Sequence, residues 1–381
     1  MTFARTPANR PAPLTGIVVF LLIAVIGLFY VKWFPYYNRA FVAQSHHSIG
    51  HSILMGDAAQ APTPSFQSAL DYAWAYGKAI WQAMVLGLLL GSAVQELLPR
   101  RWIANVLGKT RFGSVAAGGL LSIPGMMCTC CAAPVVVGLR KSDASVGAAL
   151  AFWLGNTILN PATLVFMGFV LGWQWTGLRL GLGLVMVFGM GYWVNRAVRP
   201  EEAQIATAQL DLSLADPGQA PSFSRWLKKL ASMTVRLIPE YVVLVLLLGA
   251  ARAWLFPHIS PAIGNQLGWI VAMAIAGTVF VIPTAGEVPI IQAMLTLGMG
   301  VGPAGALLMT LAPISLPSLV MTRAAFPPRV IAGIVGAVVA IGIVSGLLAI
   351  ALGFWSGGAG HTADFVPHRL ERGGIEAVIA T

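Results

Sequence analysis

Apolar residues run along this chain in long continuous blocks, parted by short polar breaks. Nine blocks can be marked, at 14–34, 69–98, 114–139, 144–171, 176–195, 227–255, 265–297, 301–322 and 329–355. Each is long enough to form an α-helix across a hydrocarbon core, which takes about 20 residues. None alternates with the period of two that a lipid-facing strand requires. The pattern predicts an all-α polytopic membrane protein. Three polar stretches punctuate it: a loop at 35–68 containing SHHSIGHS, a linker at 196–226, and a Gly-rich, His-containing tail at 356–381.

The blocks recur. VGLRKSDASVGAALAFWLGNTILNPATLV (137–165) aligns with the stretch ending at Val320 at an offset of 155. Pro134 then meets Pro289, Val146-Gly147 meets Val301-Gly302, Asn160 meets Ser315, and Leu164-Val165 meets Leu319-Val320. The chain accordingly divides into an N-terminal helix with its extracytoplasmic loop (1–68), a first transport repeat (69–195), a cytoplasmic linker (196–226), a second repeat (227–355) and a mobile tail (356–381).

Charge sets the topology. DEKR make up only 9% of the chain and hydrophobic residues 57%, against about 25% charged residues in a soluble domain. The net charge of +10 would point to nucleic acid in a soluble protein. Here the basic residues sit at block ends, as topology signals do, and no nucleic-acid platform is expected. If 114–139 and 265–297 are re-entrant hairpins and the N-terminus is inside, 15 of the 23 Lys and Arg become cytoplasmic. If both cross fully, 8 of 23 do. The positive-inside bias favours hairpins. The expected architecture is about seven full spans plus two hairpins, in two inverted halves, as secondary transporters are built.

Prolines place the breaks. Pro124 and Pro134 bracket the first hairpin tip, Pro283 and Pro289 bracket TAGEV in the second, and Pro161, Pro313 and Pro317 interrupt the next helix of each half. Proline removes an N–H and clashes with the preceding turn. Non-helical backbone at membrane depth survives only inside protein or beside water, so the four breaks are expected to meet at one cavity.

All three cysteines of the chain, Cys128, Cys130 and Cys131, fall in the first tip. Their odd number and clustering argue against a disulfide framework. Thiolates prefer soft ions: Cu(I), Zn(II) and thiophilic metalloids. A rigid helix would splay such close neighbours, whereas a bent tip can turn them inward. The spacing is unlike a structural zinc site. The plainer reading is that cysteine fills space where helices pack closely.

This stretch resembles the predicted permeases related to the organoarsenical efflux permease (ArsP-like). The resemblance rests on Cys128-Thr129-Cys130, Pro134 and Asn160-Pro161, with Gly147-Ala148-Ala149-Leu150 between them, and covers roughly 70–355. It implies an inner-membrane carrier whose best-understood members export trivalent organoarsenicals using cysteine thiols. This chain departs from those relatives by its third thiol, Cys131, and by TILN in place of a Ser-Pro-containing stretch.

Other candidates are weighed alongside. Glu287, in the second tip, is an ionisable group within a membrane segment and so a functional candidate: it could carry a coupling proton, bind a cation, or simply be hydrated at the hairpin mouth. Thr284 and Ser315 could add oxygen ligands, and Met126 and Met127 thioethers. Asn156 and Asn160 share a helix face; Asn160 is expected to satisfy backbone freed by Pro161. Arg236 and Glu240 are expected to pair within one helix turn, and Asp143 with Arg140 and Lys141 to form a solvated corner. His46, His47 and His51 could capture a metal on the outer face. The metal set is thus Cys128, Cys130 and Cys131, and the solute-binding set adds Thr129, Asn156, Asn160, Thr284 and Glu287.

Three functions compete: a permease for a thiophilic solute, a permease for a small anion with cysteines as packing, and a membrane thiol oxidoreductase. The last needs an outward-facing thiol pair and a relay, and the chain holds no second cysteine pair. No GxxxxGK[ST] motif is present, so the energy source is an ion gradient, the membrane potential or downhill flow. The expected partners are the bilayer and a small thiophilic solute, with room for a coupling proton and a homo-oligomer. No cofactor is expected.

Overall fold

The first apolar block folds as a helix that does not stop at residue 34. In the computed structural model, which describes residues 14–54, 62–198, 222–256, 260 and 262–354, α1 (Leu14–Leu28) passes through a π-turn at Phe29–Trp33 into α2 (Phe34–His46). The wider turn gives Pro35 a place at the start of α2, where its missing N–H costs little. The polar loop expected from residue 35 is therefore helical to His46. Of the linker expected at 196–226, residues 199–221 lie outside the described residues, as does the tail expected at 356–381, while 223–226 already belong to the helix that follows.

The remaining blocks appear in order. They are α3 (Phe66–Leu97), a short α4 (Arg100–Val106), α5 (Phe112–Ser122), α6 (Thr129–Lys141), α7 (Val146–Ile158), α8 (Pro161–Val170), α9 (Trp173–Leu184) and α10 (Met190–Ala197), the last two joined by a π-turn. The second half holds α11 (Phe223–Leu255), α12 (Leu267–Val279), α13 (Glu287–Thr296), α14 (Val301–Thr310), α15 (Leu316–Thr322) and α16 (Pro328–Ala351). The described residues contain helix and no strand. Six helical stretches are long and apolar enough to cross a bilayer, and the chain is a polytopic helical membrane protein.

The two tip-bearing blocks are not rods. The arms α5 and α6 have 11 and 13 residues, and α12 and α13 have 13 and 10. At 1.5 Å per residue, each arm is about 20 Å or less, short of a hydrocarbon core of about 30 Å. The two ends of each block meet. The Ser145 N–H donates to the carbonyl of Leu107 at 2.8 Å, and the Gly300 N–H donates to that of Ile263 at 2.8 Å. The two hydrogen bonds fall at nearly the same offset as the sequence match.

Small residues let the first tip seat deeply. A Cβ on Gly87 would overlap the carbonyl oxygen of Cys131, and one on Gly91 that of Pro134. Helix α3 thus runs against the backbone of α6, as small residues allow in membrane proteins. Gly87→Val is expected to destabilise the fold by about 1–3 kcal/mol or displace the tip. Gly77→Ala in the same helix, with open space around it, is the neutral control. Thermal unfolding in detergent distinguishes them.

Two local expectations change. Glu240 accepts from Arg323, 2.7 Å away on an exposed surface, and not from Arg236, because α11 brings it beside the end of α15. Arg140 is buried, not solvated, and donates to the carbonyls of Ala325 and Ala144. It ties the end of α6 to the loop after α15.

Candidate functional site

The chain bends sharply before the cysteines. Ile123–Gly125 forms a 3₁₀ turn, and Met126 adopts a left-handed conformation at φ 48°, costly for a residue with a side chain. Cys128 is the N-cap of α6, with Cys130 and Cys131 in its first turn. Because Cys128 is extended rather than helical, its thiol folds back over that turn. Its Sγ lies 3.0 Å from that of Cys130 and 2.9 Å from that of Cys131, while Cys130 and Cys131 are 3.9 Å apart. All three are buried and free of disulfides. They are the one group of potential metal ligands among the described residues. His46, His47 and His51 form no such group, and His47 Nδ1 instead contacts the carbonyl of Phe169 at 2.8 Å. Pro134 lies within α6, one turn past the thiols, and has no N–H to give the carbonyl of Cys130.

Hydroxyls back the thiols. Tyr241 OH donates to Tyr76 OH at 2.6 Å, and Tyr76 OH lies within hydrogen-bond distance of Cys130 Sγ at 3.2 Å. Groups that hydrogen-bond a ligand atom in this way fix its orientation. Thr129 turns away from the triad, its Oγ1 3.5 Å from Ser315 Oγ, while its carbonyl accepts from Trp153.

The second tip faces the first across a narrow cavity. Its lining includes Cys128 from the first tip, Thr284 and Glu287 from the second, Thr157 and Thr163 from either side of the α7–α8 break, and Ala312 from the α14–α15 break. All four interruptions meet there. Ala285, at φ 64°, makes the turn that presents Thr284 and Glu287, and so holds strain beside the cavity.

Glu287 does not sit exposed at a hairpin mouth. It is buried, and its carboxylate lies 2.8 Å from Arg179 of α9. The same guanidinium donates to the carbonyls of Thr157 (2.8 Å), Ile158 (3.3 Å) and Leu308 (3.4 Å). These are late carbonyls of α7 and α14, which have no intrahelical partner once the helices break. One side chain therefore closes two broken helices and neutralises the carboxylate.

Asn160 does what its proline neighbour implies. Its Oδ1 accepts from the N–H groups of Ala162 and Thr163, capping α8. Its Nδ2 and the Oδ1 of Asn156 are buried without a partner among the described residues. Neither asparagine lines the cavity.

Residues not singled out from the sequence complete the site. Lys32, in the π-turn, donates to Thr284 Oγ1 at 3.1 Å and to Tyr36 OH at 3.2 Å. Its neighbour Trp33 donates to the carbonyl of Pro124 at 2.7 Å. One turn of the first helix thus touches both tips. The signal for Lys32 and Arg179 was a lone cation in an otherwise apolar block.

This arrangement, polytopic, helical and broken at a buried thiol cluster, defines a membrane protein of the permease kind. The chain belongs to the ArsP-like family of predicted permeases, whose model matches residues 15–152 and 65–350. It is 52% identical to the UPF0718 protein YraQ of Escherichia coli (strain K12), over 91% of this chain and 97% of that protein. It is 23% identical to the UPF0718 protein MJ0584 of Methanocaldococcus jannaschii, over 62% of this chain and 82% of that one. A third relative, the UPF0718 protein YcgR of Bacillus subtilis (strain 168), is 26% identical over 31% of this chain and 43% of its own. No solved structure matches the chain.

Proposed function

We propose that this permease is a secondary transporter of the cell inner membrane that exports a thiophilic metalloid or metal species, a trivalent organoarsenical being the best fit. Its halves, 69–195 and 227–355, act as inverted repeats of three crossings and one re-entrant hairpin each, seven spans in all with the N-terminal helix. The two hairpin tips form the binding site at the midplane. Arsenic is captured by exchange: R–As(OH)₂ and two cysteine thiols give two As–S bonds and two waters, with no change of oxidation state.

The observation that carries this reading is the thiol triad itself, three sulfurs 2.9–3.9 Å apart with Cys128 on the cavity wall. An arsenic atom bonded at about 2.3 Å to two of these sulfurs, the reach of a thiolate ligand, and to its one organic group forms a pyramid. That pyramid is the shape trivalent arsenic takes. Uptake by everted membrane vesicles tests the proposal. Methylarsonous acid should accumulate, while its pentavalent counterpart, which does not bond thiols, should not. Equal handling of both, or of neither, overturns it. Collapsing the proton gradient in the same vesicles tells whether a proton is the coupling ion.

A further inference from the structure

Lys32 is a buried ammonium, 5% exposed, whose hydrogen-bond partners are two neutral hydroxyls. No carboxylate pairs with it among the described residues. The carboxylate at the cavity, Glu287, is already matched by Arg179. Counted without the tip thiols, the charged side chains at this wall sum to +1, from Lys32, Arg179 and Glu287; the sulfurs of Cys128 and Cys131 act on Lys32 electrostatically, and a thiolate there would answer it only until it is spent on bonding. Such an excess inside a membrane protein is costly unless something answers it. The cation is held in place on purpose-built backbone: a π-turn, a feature that clusters at functional sites, pinned beside the first tip by Trp33. Tyr36 adds its ring face, 5.2 Å from Nζ, and carries no charge to balance it.

We infer that Lys32 makes the site selective for thiophilic solutes that carry a negative charge, its ammonium acting across Thr284 on whatever occupies the cavity. This rests on the transport reading above and names the class of solute within it. Sulfurs spent on bonding arsenic as a neutral dithiolate leave the ammonium unanswered. A solute with its own anionic group answers it. A unit charge at such range in a partly desolvated site shifts affinity by about tenfold or more.

The experiment uses purified protein in liposomes and three arylarsonous acids of one scaffold: 4-carboxyphenyl (anionic), phenyl (neutral) and 4-trimethylammoniophenyl (cationic). The wild-type protein should prefer them in that order, the carboxylate over the neutral compound by about tenfold. Lys32→Met should bring that ratio close to one, and Lys32→Arg should restore it. The charge series on the wild-type protein needs no variant, so a misfolded Lys32→Met leaves the test intact. Thiol-dependent transport of all three compounds without charge preference, or a preference unchanged in Lys32→Met, overturns the inference while the transport reading stands. If none of the three is transported, both fall.

Discussion

Replacing Cys128 with serine is expected to cut solute transport by more than about 100-fold. A partner that only orients a ligand is worth 10–100-fold, and two of the three sulfurs bond the arsenic themselves. Cys128 should be the most sensitive, because it lies on the cavity wall and within 3.0 Å of both other sulfurs. Serine is close in volume, and all three positions already sit among hydroxyls or other thiols, so the protein should still assemble. The measurement is vesicle uptake of methylarsonous acid by Cys128→Ser, Cys130→Ser and Cys131→Ser, alongside elution of each variant as a single detergent-solubilised species. Undiminished uptake by a triple-alanine variant would make the cysteines packing and overturn the thiol role.

The second large effect belongs to Arg179. Removing one partner of a buried ion pair costs about 3–5 kcal/mol, because the other charge is left behind. Arg179→Met also abandons the carbonyls of Thr157, Ile158 and Leu308, so it should be the more damaging half of the pair. Glu287→Gln alone should cost less, since those three acceptors still hold the guanidinium. Adding Glu287→Gln to Arg179→Met should recover part of the loss, because the stranded carboxylate disappears. Thermal unfolding of the four proteins in detergent gives the coupling. Strictly additive losses would mean that the 2.8 Å contact contributes nothing.

These two predictions differ in how visible their residues were beforehand. The thiols stood out because cysteine occurs nowhere else in the chain and the three lie between prolines. Arg179 did not, because LRLGLGLV reads as an apolar helix with one polar interruption. Its role comes from two helix ends, near residues 158 and 310, that are about 150 positions apart and meet only in the folded protein. Lys32 was hidden for a related reason. The sequence shows a cation near the end of a first helix, and only the π-turn rotates it toward Thr284.

Local patterning alone determined the class of the molecule: blocks of apolar residues leave the backbone no partner but itself, so they become helices. It also determined where those helices break, since proline cannot donate, and which residues could bond a soft atom. The tertiary structure decided which side chains answer one another. It paired Glu287 with Arg179, turned Thr129 toward Ser315, sent Glu240 to Arg323, and set Lys32 beside the cavity. Pairings of this kind depend on distances between segments far apart in the chain, and hydrophobic periodicity carries no record of them.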